Sequence, residues 1–204
     1  MKIALFTDSY KPNTDGVVSS ILAYRQGLEQ KKHEMYIFAP SGKAPKEKNV
    51  YRYASVPFPP YPEYRAPIFP FVSSSIAKKH GIDVVHSKAM VGMGLSAIAF
   101  AAHAKLPSMA SLETMVPDGV HYISNNKGVQ KIGKSIAWGY LRWFYSNFDI
   151  VTSPSKHTQT LLAENGIESE VLASPIDTNR FKPNSKGNEK PKCRFYDSGQ
   201  GTVS

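Results

Sequence analysis

Short apolar runs of strand type alternate with segments of helical period almost from end to end of this chain, and no other feature narrows its fold as far. The runs are Met1 to Thr7, His33 to Pro40, Val50 to Ala54, Asp83 to His86, Pro107 to Leu112, Asp149 to Thr152 and Glu170 to Ala173. Between them, Val17, Ile21, Tyr24 and Leu28 recur at spacings of four, three and four, which places them on one face of a helix. Phe71 to His80 is read as a helix stopped by Gly81, Gly92 to Ala104 as a small-residue helix, Val129 to Asn147 as a long one, and Ser155 to Asn165 as a helix stopped by Gly166. Parallel strands need crossovers long enough to hold a helix, so this order predicts an α/β, Rossmann-like parallel sheet with helices on both faces. Ligands of such sheets sit outside the carboxyl ends of the strands, which directs the loops after residues 7, 86 and 112 toward one cleft.

Two stretches stand outside the alternation. Pro57 to Pro70 carries so many prolines that it is expected as an extended loop set with aromatic rings, either lining a cleft or covering core. Residues 184–204 open on a polar linker and are too short for a domain, so the expected division is one domain over 1–183 and a linker or irregular tail over 184–204. The single cysteine, Cys193, allows no internal disulfide and suits a reducing, cytoplasmic compartment. The apolar stretch Ala89 to Leu106 includes His103 and Lys105 and reads as a buried helix, not a membrane span. Met1-Lys2 leads straight into a strand, with no signal-peptide pattern. A formal charge of +9 favours anionic partners without choosing among nucleotide phosphates, acidic lipid head groups and nucleic acid. The basic residues form no nucleic-acid reader motif, and nucleic acid is not expected as a partner.

Glycine where a strand passes into a helix permits close backbone approach to a ligand, and the helix start offers unpaired N–H groups to an anion. Gly16 and Val17 occupy that position, and Gly16 equally serves as a plain turn. His86 ends a strand beside Ser87 and Lys88, in a structural or a cleft role. Glu113 and Asp118 follow another strand, where carboxylates accept a proton or a sugar-hydroxyl hydrogen bond or are simply solvated, with His121 beside Tyr122 within reach of the same cleft. None of these has metal-ligand spacing, and no metal is expected. Walker, nucleophile-elbow and dinucleotide glycine motifs are absent, which argues against nicotinamide chemistry.

Stepping the long helix at 100° per residue puts Val129, Ile132, Ile136, Tyr140, Trp143 and Phe144 on a side expected to pack on the sheet. Lys127, Lys131, Lys134, Trp138, Arg142 and Tyr145 share the other side, which suits an anionic membrane surface or an ordinary solvated face.

Together these segments resemble the amino-terminal half of glycosyltransferase family 4 enzymes of the two-domain GT-B fold, in the diacylglycerol glucosyltransferase and phosphatidylinositol mannosyltransferase branch. Five places carry the likeness, in the family's order: Phe6 to Val17; Asp83-Val-Val-His86 with Gly94; Thr114-Met with Asp118 and His121-Tyr-Ile123; Asp149 with Pro154-Ser-Lys156; and Ile176-Asp177 with Phe181. The resemblance implies a single GT-B amino-terminal domain that binds the acceptor in a cleft including Asp8, Tyr10, His86, Thr114, Asp118 and His121, while Gly16 and Val17 face the donor diphosphate. It implies retaining transfer without an obligatory metal or cofactor, from a nucleotide-sugar held by a donor domain that residues 1–204 do not include. Glu113 occupies the family's histidine position, where an anion near a diphosphate weakens binding, and Ala173-Ser-Pro-Ile-Asp177 replaces a flexible glycine of the family pattern by Pro175. A separately supplied donor domain or a second copy of the chain, and an anionic membrane surface touched peripherally, are the partners this implies. The alternative is a non-catalytic module that binds anionic lipid through Lys127, Lys131, Lys134, Trp138 and Arg142.

Overall fold

The computed structural model describes residues 1–42, 46–58, 61–68, 71–113 and 127–176, without the side chains of 61–63 and 127. The elements run β1 (Lys2–Phe6), α1 (Gly16–Gln30), β2 (Glu34–Pro40), β3 (Val50–Tyr53), β4 (Ser55–Phe58), β5 (Tyr61–Pro67), α2 (Ser75–His80), β6 (Val84–Ser87), α3 (Gly92–Ala104), β7 (Ser108–Ser111), α4 (Lys127–Tyr145), β8 (Ile150–Ser153), α5 (Lys156–Glu164) and β9 (Glu170–Val171). Seven strands pair in the order β3-β2-β1-β6-β7-β8-β9, every pair parallel. This doubly wound order reverses direction between β1 and β6, where the carboxyl edge opens a crevice.

Both faces of the sheet are buried, which is why the strands read as continuous apolar runs. Ala4, Phe6, Tyr36, Phe38 and Val85 face one core with Met93, Ala97 and Phe100 of α3 and Leu141 and Phe144 of α4. Leu5, Met35, Ile37 and Ala39 face the other core with Ile21 of α1 and Tyr10. Phe38 stacks between Phe6 and Tyr51, at centroid distances of 4.7 and 5.2 Å. Close approach of α3 depends on Gly94, where an added Cβ would lie 2.6 Å from the Ala89 carbonyl oxygen and 2.9 Å from the Phe144 ring.

Two expectations fail here. The proline-rich segment is not only loop: β4 and β5 form an antiparallel ribbon of their own, with a register shift between Pro57 and Phe58. Proline lacks a ladder donor, and a two-stranded ribbon outside the main sheet leaves each strand an open edge where that donor is not needed. The helix expected from Phe71 begins only at Ser75. The expected tail, 184–204, lies outside the described residues.

Candidate functional site at the carboxyl edge of the sheet

Asp15 stands just before α1, and its Oδ1 accepts the Val18 N–H at 2.8 Å. Its Oδ2 accepts the Ser9 hydroxyl at 2.5 Å, and Asn13 Nδ2 donates to Ser9 Oγ at 3.2 Å. The loop from β1 is thereby tied to the helix start. The backbone beside that cap stays open: a Cβ added at Gly16 meets nothing within 4 Å. Gly16 is exposed and Val17 half-buried, and their N–H groups belong to the first turn, which no intrahelical carbonyl can serve. Asp15 was not singled out from the sequence, although an aspartate immediately before a periodic apolar face is the usual sign of a helix cap.

Asp8 has a structural task. Its Oδ1 accepts the Met93 N–H at 2.8 Å and its Oδ2 the Val91 N–H at 3.1 Å, so it holds the start of α3. Burial pushes its carboxyl above the usual range, against the lowering effect of those backbone donors. Tyr10 is buried with α1 and β2, its hydroxyl 3.5 Å from Glu47 Oε2.

Beneath α1, parallel register brings together a polar group that is dispersed in sequence. His86 Nε2 lies 2.7 Å from Ser111 Oγ, which lies 2.8 Å from Thr152 Oγ1, so one chain of side chains crosses β6, β7 and β8. Burial, followed by the charge of Lys88, lowers the His86 imidazole from 6.5 to about 3, and the ring is neutral at ordinary pH. Next to it, the Lys88 ammonium pairs with Glu113, donates to Ser20 Oγ at 3.0 Å and sits 4.6 Å from the Tyr24 ring centroid. Burial holds the Lys88 pKa down and the glutamate opposes that. Glu113 therefore does not stand as a lone anion, since the Lys88 ammonium is paired with it. Lys88, Ser20, Tyr24, Ser111 and Thr152 were not assigned from the sequence; only a correct register of β6 on β7 would have revealed the first of them. Thr114, Asp118 and His121 lie outside the described residues. Among the described residues, no group of three or more His, Cys, Asp or Glu side chains is placed to hold a metal.

The face assignment of α4 needs correction. Leu141, Phe144 and Tyr145 are buried and Trp138 packs against the core, whereas Val129, Ile132, Ile136 and Trp143 are 50, 64, 68 and 53 % exposed. Among the described residues, only the last turns have core beneath them. Lys131, Lys134 and Arg142 are exposed as expected; Trp138 and Tyr145 do not belong to that surface, and the Lys127 side chain lies outside the described residues. Among the described residues no helix is long and apolar enough to cross a membrane.

A doubly wound parallel sheet with an open helix start and a neutralised polar group at its carboxyl edge defines a Rossmann-like α/β domain. The Glycosyltransferase Family 4 model matches residues 14–180, and the chain belongs to that family. It is 31 % identical over 188 residues to an alpha-monoglucosyldiacylglycerol synthase of Streptococcus pneumoniae, covering 89 % of this chain and 42 % of the relative. The synthase of the same name from Acholeplasma laidlawii is 26 % identical, covering 93 % and 50 %. A GDP-mannose-dependent alpha-mannosyltransferase of Mycobacterium tuberculosis is 23 % identical, covering 100 % and 54 %. The chain spans about half the length of these curated relatives.

Proposed function

We propose that this chain is the acceptor-binding half of a retaining glycosyltransferase that moves a sugar from a nucleotide-sugar to a hydroxyl of a lipid or similar acceptor. The donor domain is supplied separately, by another chain or by further sequence. The observation that carries this reading is the unobstructed start of α1 at Gly16, at the carboxyl edge of a family 4 domain. A donor diphosphate resting there meets the N–H groups of Gly16 and Val17 and the positive end of α1, while cations of the second domain face it from the other side. Charge building on the leaving phosphate is then met by fixed dipoles as the acceptor hydroxyl attacks. Neutral His86 and the Lys88–Glu113 pair form the wall of the acceptor side. Glycosyl transfer tests the proposal, using diacylglycerol and phosphatidylinositol vesicles with UDP- and GDP-sugars. The chain alone gives no turnover, and adding a family 4 donor domain restores it. Robust turnover by residues 1–204 alone overturns the need for a second domain, and silence with every donor domain, together with no acceptor binding, overturns the transferase reading.

A second reading rests on α4. An exposed apolar row of Val129, Ile132, Ile136 and Trp143, with exposed Lys131, Lys134 and Arg142 on the other side of the helix, suits peripheral contact with an anionic bilayer. That contact would bring a cytoplasmic chain to the inner face of the membrane. It accompanies the transferase reading or, without catalysis, replaces it. Co-sedimentation with anionic vesicles that survives replacement of Lys131, Lys134 and Arg142 by Glu removes its electrostatic basis.

A further inference from the structure

A second polar hollow lies on the other half of the carboxyl edge, beyond β1. Arg52, in β3, donates from Nη1 to the Pro40 carbonyl at 3.2 Å, and its guanidinium carbon lies 5.0 Å from the Tyr10 ring centroid. Its Nη2 is buried and has no hydrogen-bond partner among the described residues. A buried donor left unpaired is costly, more so when the group is charged, and native structures keep few of them. Arg65, from β5, donates Nε to Ser55 Oγ at 2.9 Å and Nη2 to the Ser55 carbonyl at 2.6 Å, which fixes its plane.

Both arginines line one cavity of about 210 Å³, together with Lys11, Asn13 and Gly42. Asp8 is the only acid among the described residues of that lining, and its oxygens are engaged by the N–H groups of Val91 and Met93. Lys11 pairs with Glu47 at 3.2 Å. Neither arginine has an ion-pair partner among the described residues. Among the described residues the hollow thus holds two fixed guanidinium groups without an ion-pair partner, with Glu47 acting on Arg52 only from a distance. Its volume falls below the range of about 300–1,000 Å³ usual for whole drug-sized ligands, so it fits a single small group.

We propose that this cavity is an anion site that takes a phosphate group through Arg52 and Arg65. A tetrahedral oxyanion offers acceptors to both arginines, and two fixed guanidinium planes match its oxygens better than mobile ammonium groups do. The lining of the cavity does not include Gly16 or Val17, and the proposal does not depend on glycosyl transfer. The phosphate comes either from solution or from a phospholipid head group.

Titration calorimetry of the 204-residue chain with inorganic phosphate, at ionic strength matched with chloride, reads the site directly. Saturable binding at one site is expected, weakened about tenfold or more in Arg52→Gln, the loss typical of a charge-assisted pair, and unchanged in Lys79→Gln, an exposed lysine of α2. Circular dichroism verifies that each variant is folded. Should Arg52→Gln not fold, Arg65→Gln gives the same comparison, and a phosphate-induced rise in Tm of the unaltered chain reads the site without any variant. Vesicles of phosphatidylglycerol separate the sources. If the head group is the ligand, their binding is competed by inorganic phosphate and lost in Arg52→Gln; if solution phosphate is the ligand, vesicle binding ignores both. No saturable phosphate binding and no Tm shift, or equal affinity in Arg52→Gln and the unaltered chain, overturns the proposal.

Discussion

Lys88 and Glu113 form an ion pair just past the carboxyl ends of β6 and β7, with side chains 1 and 15 % exposed. Among the described residues the lysine has nowhere else to put its charge, since its remaining contacts there are the Ser20 hydroxyl and the Tyr24 ring. Removing one member of a buried pair commonly costs about 3–5 kcal/mol because the other is stranded. The two halves are not equivalent here. Glu113→Gln strands a buried ammonium and is expected to lower unfolding free energy by about 3 kcal/mol. Lys88→Met leaves a carboxylate that can turn toward water and costs less, about 1–2 kcal/mol. Urea denaturation at neutral pH measures both, and the reverse order would mean that Glu113 is the more trapped charge.

The alternation of strands and helices was legible because it is local: each apolar run and each periodic face is written within a few residues. Side-chain grouping at the edge was not. Lys88 and Glu113 are 25 residues apart, and they meet because Ser87 pairs with Ala110 in the β6–β7 register, which no local pattern announces. The α4 error has a similar origin. Its sequence carries two apolar arcs, one through Val129, Ile132, Ile136 and Trp143 and another through Leu141, Phe144 and Tyr145, and helical period alone cannot say which has a core beneath it. The β4–β5 ribbon was missed because proline excludes central strands, not a free-standing pair.

His86 gives the fold a pH dependence of definite sign. Its pKa falls from 6.5 to about 3 on folding, through burial first and the Lys88 charge second. Between those values the unfolded chain binds the extra proton, so the contribution is complete above pH 6.5 and is lost as pH falls toward 3. The expected slope is about 1.4 kcal/mol per pH unit below 6.5. Unfolding free energies at a series of pH values should show it, and His86→Gln, which cannot take up that proton, should flatten it. An equal slope in the variant would assign the dependence to other groups.

Gly94 and Gly16 are predicted to respond oppositely to alanine. At Gly94 the methyl group would lie 2.6 Å from the Ala89 carbonyl oxygen and 2.9 Å from Phe144, and since α3 and β6 cannot both yield, Gly94→Ala should cost about 2–3 kcal/mol. At Gly16 the space is open and alanine is a better helix former than glycine, so Gly16→Ala should change stability by less than about 1 kcal/mol, in the stabilising direction. Tm values of the two variants decide it. A destabilising Gly16→Ala would mean that its hollow is already filled.

The two ends of α4 separate stability from surface binding. Phe144 is fully buried among Phe148, Tyr145 and Tyr140, and Phe144→Ala should remove about 3–5 kcal/mol. Ile132 and Ile136 are 64 and 68 % exposed, so replacing both by Asp should alter stability by no more than about 0.5 kcal/mol each, the usual limit for surface sites. If α4 lies on a membrane, those same two changes should abolish co-sedimentation with anionic vesicles, because the apolar row must enter the head-group region and the added carboxylates are repelled by acidic lipid. Lys131→Gln with Lys134→Gln should weaken binding only partly, by about 1 kcal/mol for each charge. Vesicle binding that survives Ile132→Asp with Ile136→Asp would remove the row from any membrane role, and a large loss of stability in that variant would show that the row is covered within the protein itself.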